Sequence, residues 1–178
     1  MNKKKQAVLI LCTCIMTGLF LCTGCGRQKD KTEADEAVMT FFSAYKRNSY
    51  RGIDRQLFSD GLKDLLNKAT AREEKEVELV LNSDYPTDKP YILDFDVFTS
   101  MVEGADSLRI LRTTIKADTA QIDVLFSNGS FDNIVEWEDQ LIFVKKTGWV
   151  LDNVIYGADN MEFKSLQDLL EDYITGFD

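Results

Sequence analysis

Histidine is absent from this chain of 178 residues. With it go Ser–His and Cys–His nucleophilic systems, histidine metal sites and the commonest general base. No Gly-x-Gly-x-x-Gly or phosphate-loop pattern occurs, so a nucleotide fingerprint has no support. Asp94-Phe95-Asp96 opens like a calcium-binding loop, but Phe98 and Thr99 stand at the next ligand and glycine positions, which excludes that reading. Proline occurs twice, both times within Asn82 to Pro90, "NSDYPTDKP", which reads as a loop. Cysteine occurs four times, always before residue 26, so the chain beyond Cys25 has no disulfide, thiol nucleophile or cysteine metal site to offer.

What is there begins with a separate N-terminal object. Lys3, Lys4 and Lys5 precede an uncharged, mostly apolar run of 15 residues, Ala7 to Leu21, and small residues follow. A membrane-spanning helix needs about 20 apolar residues, so the run fits the core of a secretory signal better than a span. Its exit, Leu21-Cys22-Thr23-Gly24-Cys25, resembles the bacterial lipoprotein signal, with Thr23 and Gly24 at the two small positions and Cys25 at the lipid-bearing one. Cys22 stands where leucine is usual. The resemblance implies cleavage before Cys25, attachment of that thiol to diacylglycerol, and acyl chains such as palmitate anchoring the mature protein. The expected address is the bacterial cell envelope, on a membrane, facing the periplasm or the exterior. Removal of the signal takes away three lysines and no acids, so the formal charge moves from −9 to −12. Such a surface repels nucleic acid and anionic headgroups, leaving lipid on Cys25 as the membrane contact.

The expected organisation is a signal peptide over 1–24, the lipidated cysteine and a polar tether over 25–35, and one domain over 36–178. Gly26 to Lys31, "GRQKDK", reads as tether, and Thr32-Glu33-Ala34-Asp35 as a helix cap. Val38, Phe41, Phe42 and Tyr45 then form an apolar stripe at helical spacing. A second helix is expected from about Asp60 to Leu81, carrying Leu62, Leu65, Leu66 and Ala69. Within it Arg72 to Glu78, "REEKEVE", reads as a wetted charged face, with docking of a basic partner as the sharper alternative. Beyond the prolines the pattern alternates. Strands are expected over Tyr91 to Phe98, Leu108 to Lys116, Ala120 to Phe126, Ile134 to Lys146 and Trp149 to Tyr156, with a tight turn at Asp118 and a type I′ hairpin turn at Asn128-Gly129. Ser165-Leu166-Gln167-Asp168 caps a short last helix. Helices followed by antiparallel strands make an α+β fold, with N-terminal helices on a curved sheet. A domain of this size buries roughly two-thirds of its unfolded surface, enough for a core without disulfides.

"PTDKPYILDFDVFTS" (Pro86 to Ser100) and the closing "GWVLDNVIYG" resemble a family of bacterial exported proteins catalogued as a domain of unknown function. The resemblance covers roughly Ala37 to Gly157. It implies a cone of the nuclear-transport-factor-like or cystatin-like type and brings no established activity with it. Where relatives show Asp-Pro-Phe-Thr, this chain has Asp96-Val97-Phe98-Thr99. The Gln-x-Val-x-Gly loop of cystatin-type protease inhibitors does not occur.

The remaining chemistry is carboxylates, tyrosines and tryptophans. On a strand Asp94 and Asp96 share a side, and sharing a pocket would raise one pKa and create an acid–base pair. Alternation with Leu93, Phe95 and Val97 favours an ordinary solvated strand face, and the same holds for Glu136, Glu138 and Asp152. Trp137 and Trp149 read first as core aromatics and second as the lining of a ligand cavity. Asp94, Asp96, Phe98, Trp137 and Trp149 are therefore the candidate ligand or partner surface, and no catalytic residue, metal site or cofactor is expected. The leading functional reading is a non-catalytic, lipid-anchored envelope protein that binds a small ligand or another envelope protein. One alternative is an isomerase or dehydratase using an Asp base and a Tyr donor; another is a structural subunit of an envelope complex. A buried carboxylate of raised pKa beside a tyrosine hydroxyl would favour the enzyme.

Overall fold

A computed structural model describes residues 26–45, 50–130, 133–158 and 161–176. The signal segment and Cys25 lie outside the described residues. Among the described residues no helix is long and apolar enough to cross a membrane.

Helix α1 (residues 26–44) begins earlier than the Thr32 cap implies. The segment expected to be a tether forms its first turns, and Thr32 is internal, its hydroxyl donating to the Gln28 carbonyl at 3.1 Å. Charge pairing accounts for the difference: Lys145 of the sheet meets Asp30 and, at 3.7 Å, Glu33. Ala34, Val38 and Phe41, continued by Tyr45 just past the helix, give the buried stripe. Helix α2 (Asp60–Leu81) has the expected bounds, because the Ser59 hydroxyl accepts the Leu62 N–H at 3.1 Å. Leu62, Leu66, Ala69 and Glu73 form its buried face. Glu73 corrects the reading of the "REEKEVE" run as wetted throughout. It is fully buried, accepting from the Arg51 guanidinium and from the Leu93 N–H at 2.8 Å.

The sheet is one antiparallel meander in the order β1 (Ser107–Lys116), β2 (Thr119–Asn128), β3 (Val135–Lys145), β4 (Trp149–Ile155). Ala120, Ile122, Val124 and Phe126 of β2 oppose Phe143, Leu141, Asp139 and Trp137 of β3 in one buried row. Irregular register at Ile110/Arg112 and at Ile142/Phe143 bends the strands. The helices cover this face: Phe41 of α1 meets Phe58 and Phe98 edge-on, and Phe42 lies 5.2 Å from Phe126. Helix α3 (Leu166–Thr175), capped by Ser165, closes on α2 through Arg72, which donates to the Ile174 carbonyl at 2.9 Å and covers the Tyr173 ring. The α+β architecture is as the sequence order implies.

Two expected elements do not form. Tyr91 to Phe98 is irregular rather than a strand, and Asp96 through Ser100 are buried consecutively instead of alternately. Long-range side chains satisfy its backbone: Tyr173 bonds the Tyr91 carbonyl, Glu73 the Leu93 N–H and Tyr156 the Val97 carbonyl. Asn128-Gly129 is not a two-residue turn. Asn128 is the last residue of β2, paired with Val135, and its buried amide donates to the Gly104 carbonyl at 2.6 Å. The tertiary contact outcompetes the local turn preference.

The turn between β1 and β2 does form, and Ala117 occupies it at φ 50°. A left-handed conformation costs an L-residue about 1–2 kcal/mol, while glycine adds about 0.5–1 kcal/mol of unfolded-state entropy. Ala117→Gly is therefore expected to raise stability by about 0.5–1 kcal/mol. Equilibrium urea unfolding measures it, and a lower midpoint would contradict the strain argument.

Candidate functional site

The irregular segment before β1 carries the site because it has no strand ladder for its backbone and folds instead around its own side chains and a few internal bonds. At its bend the Asp96 N–H donates to the Val102 carbonyl at 3.0 Å, and Asp96 Oδ1 accepts the Phe98 N–H at 2.8 Å. Gly104, at φ 73°, passes directly over the other oxygen, and any Cβ there would collide with Asp96 Oδ2. Asp96 is 5% exposed, and among the described residues Oδ2 has no well-aligned hydrogen-bond partner.

Asp96 forms part of the wall of a cavity of about 360 Å³. Met39, Phe42 and Tyr45 enclose it from the α1 side, Phe126 from β2, and Asp106 and Leu108 from the start of β1. Burial pushes the Asp96 carboxyl up to about 6, against the Tyr45 hydroxyl and the Phe98 and Thr99 N–H groups, which favour the ionised form. Tyr45 responds in kind. Burial first, and then the charge of Asp96, hold its hydroxyl far above the usual phenol range. Phe126 is backed by Trp137, stacked at 5.8 Å between ring centres.

Of the five residues expected to form a surface, only Asp96 lines this cavity. Asp94 does not share its side, because no strand forms. It is exposed and paired with Lys89 at 2.5 Å, which holds its carboxyl below the ordinary range. Phe98 is wholly buried among Phe41, Tyr45 and Phe58, part of the core and not of a surface. Trp137 is a core residue whose indole donates to Asp139 at 3.2 Å. Trp149 belongs to a separate groove with Glu33, Glu36 and Thr40, and its indole nitrogen has no partner. Glu136 and Glu138 are exposed, as a solvated strand face requires, and Asp152 is half-buried.

Sequence reasoning missed three contributors. Tyr45 reads as one more residue of an apolar stripe, and neither Gly104 nor Asp139 belongs to any motif. Asp139 is 3% exposed and accepts from Ser100 N at 2.9 Å, Ser100 Oγ, Trp137 Nε1 and Gly157 N at 2.8 Å.

No protein-family model, curated protein or solved structure matches the chain. Chemistry must therefore be read from the site. Among the described residues no group of three His, Cys, Asp or Glu side chains stands close enough to hold a metal ion. Among the described residues the cavity offers a buried carboxyl in its wall, a phenol beside it, aromatic side chains and no lining cation. Such a lining matches the make-up of a small-molecule pocket, mostly apolar with a few polar groups.

Proposed function

We propose that this protein is a lipid-anchored envelope protein that binds a small ligand in the cavity beside Asp96. The observation that carries the reading is a cavity of about 360 Å³ walled by Phe42, Tyr45 and Phe126, with the buried Asp96 in its wall. Apolar walls with a few polar groups are the usual make-up of a small-molecule site. The anchor is compatible with this. Lipid on Cys25 would meet the domain at the start of α1, and a rise of 1.5 Å per residue carries Phe42 about 25 Å away from the lipid.

Native mass spectrometry of the protein extracted gently from membranes tests the binding reading. A stoichiometric small-molecule adduct that is lost in Asp96→Asn supports it; a stoichiometric protein partner with no adduct replaces it with an interaction module. The anchor is tested separately. Cys25→Ser should abolish acylation and leave the precursor uncleaved, detected by mass and by membrane fractionation, and normal maturation of that variant would remove the lipid from the reading.

A second reading has one observation in its favour. A carboxyl raised to about 6 beside a tyrosine hydroxyl suits proton transfer in an isomerase or dehydratase. Gly104 closing over Oδ2 weighs against it, because a general base must reach the proton it removes.

A further inference from the structure

Charge is not spread evenly over the domain. The start of α1 carries Arg27, Lys29 and Lys31, the end of β1 carries Lys116, and the turn after β3 carries Lys145 and Lys146. Tertiary bonds gather these segments at one end of the molecule. Lys145 meets Asp30 of α1, its N–H donates to the Asp118 carbonyl at 2.8 Å, and Lys146 reaches Asp60 at the start of α2 at 2.6 Å. Among the described residues of these segments, Asp30, Glu33, Asp60 and Asp118 stand against the six bases. Residues 1–25 contain no acid, so the segment that precedes α1 adds no negative charge. The whole chain has 21 Lys and Arg against 30 Asp and Glu, and three of the lysines precede Cys25. One end of the domain is therefore net basic, and the remainder is strongly acidic. We propose that the basic end docks on anionic lipid headgroups and so fixes how the anchored domain stands on its membrane. The inference rests on the lipid-anchor part of the reading above and adds a protein surface to the contact.

Position supports it first. Cys25 immediately precedes α1, so a lipid there holds this end of the domain, and no other, at the bilayer. Net charge taken alone implies repulsion from anionic headgroups, but at physiological salt a charge is felt over only about 8 Å. Helix α1 is about 28 Å long at its rise of 1.5 Å per residue, which sets its far end several screening lengths away. The headgroups then meet the local surplus of bases rather than the average of the chain. Ion pairs engage Lys145 and Lys146, so that surplus falls to Arg27, Lys29, Lys31 and Lys116. Each Lys or Arg within a screening length of an anionic surface adds attraction, and an acyl anchor gains hold from a basic patch beside it.

No cysteine follows Cys25, so an introduced cysteine is the only thiol of the mature, lipidated protein. Gly148→Cys puts a bimane label in the turn after β3, where nothing lies within 4 Å of an added Cβ. Val102→Cys labels an exposed position on the bend around Asp96, which meets Tyr45 at the other end of α1. Both proteins are placed in phosphatidylcholine vesicles, with or without one-third phosphatidylglycerol, that carry a spin-labelled headgroup as quencher. Quenching at position 148 should be at least about threefold stronger with phosphatidylglycerol in about 0.1 M salt. The excess should vanish in about 1 M salt, where screening shortens to about 3 Å. Position 102 should be weakly quenched in both vesicles. Arg27→Gln, Lys29→Gln and Lys116→Gln together, three exposed positions, should abolish the excess at 148. Equal quenching at 148 in the two vesicles overturns the docking and leaves the anchor standing if intact mass shows lipid on Cys25. An excess that survives the triple replacement overturns the assignment to these bases. Stronger quenching at 102 than at 148 puts the acidic end on the membrane and reverses the proposal. Absence of lipid on Cys25 overturns the anchor and the docking together.

Discussion

Asp96→Asn is expected to make the folded protein more stable at neutral pH, by about 3 kcal/mol. The carboxyl has a folded-state pKa of about 6 against 3.8 for an unperturbed aspartate. The folded chain therefore holds this proton more tightly than the unfolded chain does. The native protein is favoured most where both states are protonated, below 3.8, and the advantage is lost as pH rises through about 6. Each pH unit of that gap is worth about 1.4 kcal/mol, which gives the expected magnitude. Asparagine removes the charge and keeps the geometry. Its Oδ1 still accepts the Phe98 N–H, and an amide replaces the oxygen that has no partner. The Tyr45 hydroxyl and the Phe98 and Thr99 N–H groups offset only part of the cost of burial, and the charge of Asp139 adds to that cost. Urea unfolding of both proteins between pH 3 and pH 8 is the measurement. The two stability curves should meet at low pH and diverge between about 4 and 6; parallel curves would show that Asp96 ionises without cost. A residue that destabilises its own fold is what a binding site leaves behind when stability and function compete.

That liability was visible in the sequence only as a letter. Asp94 and Asp96 are indistinguishable by pattern, two residues apart among Leu93, Phe95 and Val97. One is solvated beside Lys89 and the other is sealed under Gly104. The difference comes from partners 20 to 82 residues away in sequence: Glu73, Tyr156, Asp139 and Tyr173 each take a backbone group of residues 91–100. Those bonds replace a strand ladder, and no local propensity encodes them. Elements that close within themselves were legible. Helix α2 runs between the residues its cap and apolar spacing specify, and α3 starts at Ser165 because its hydroxyl accepts the Asp168 N–H. The alternation of β2 gives its buried face without error. Asn128 illustrates the boundary between the two cases. Its preference for a turn is real, but a buried amide bonded to the Gly104 carbonyl holds the strand open to that residue.

Asp139 should behave in the opposite way to Asp96. Asp139→Ala is expected to cost at least about 4 kcal/mol, the largest effect of any single replacement considered for this protein. Its carboxylate gathers two donors from Ser100, one from Trp137 and one from Gly157, so it ties β3 to the segment carrying Asp96 and to the chain leaving β4. Alanine strands those donors in a buried place, at about 1–3 kcal/mol for each that water cannot reach. Ser100→Ala removes only one of the four bonds and should cost about 1–1.5 kcal/mol. Asp139→Asn is the decisive comparison. It keeps shape and volume but sets an N–H₂ group against donors, so it should also destabilise, by about 2–3 kcal/mol. Urea unfolding at neutral pH reads all three, with loss of near-ultraviolet circular dichroism from Trp137 as a local probe. The same carboxylate-to-amide change then has opposite signs at two buried aspartates, one within this loop and one on the strand that holds it. It stabilises where the carboxylate oxygen is unpartnered and destabilises where both oxygens are engaged. If both replacements destabilised, Asp96 would be another clamp holding the segment, and the cavity would lose its reason for an uncommitted charge.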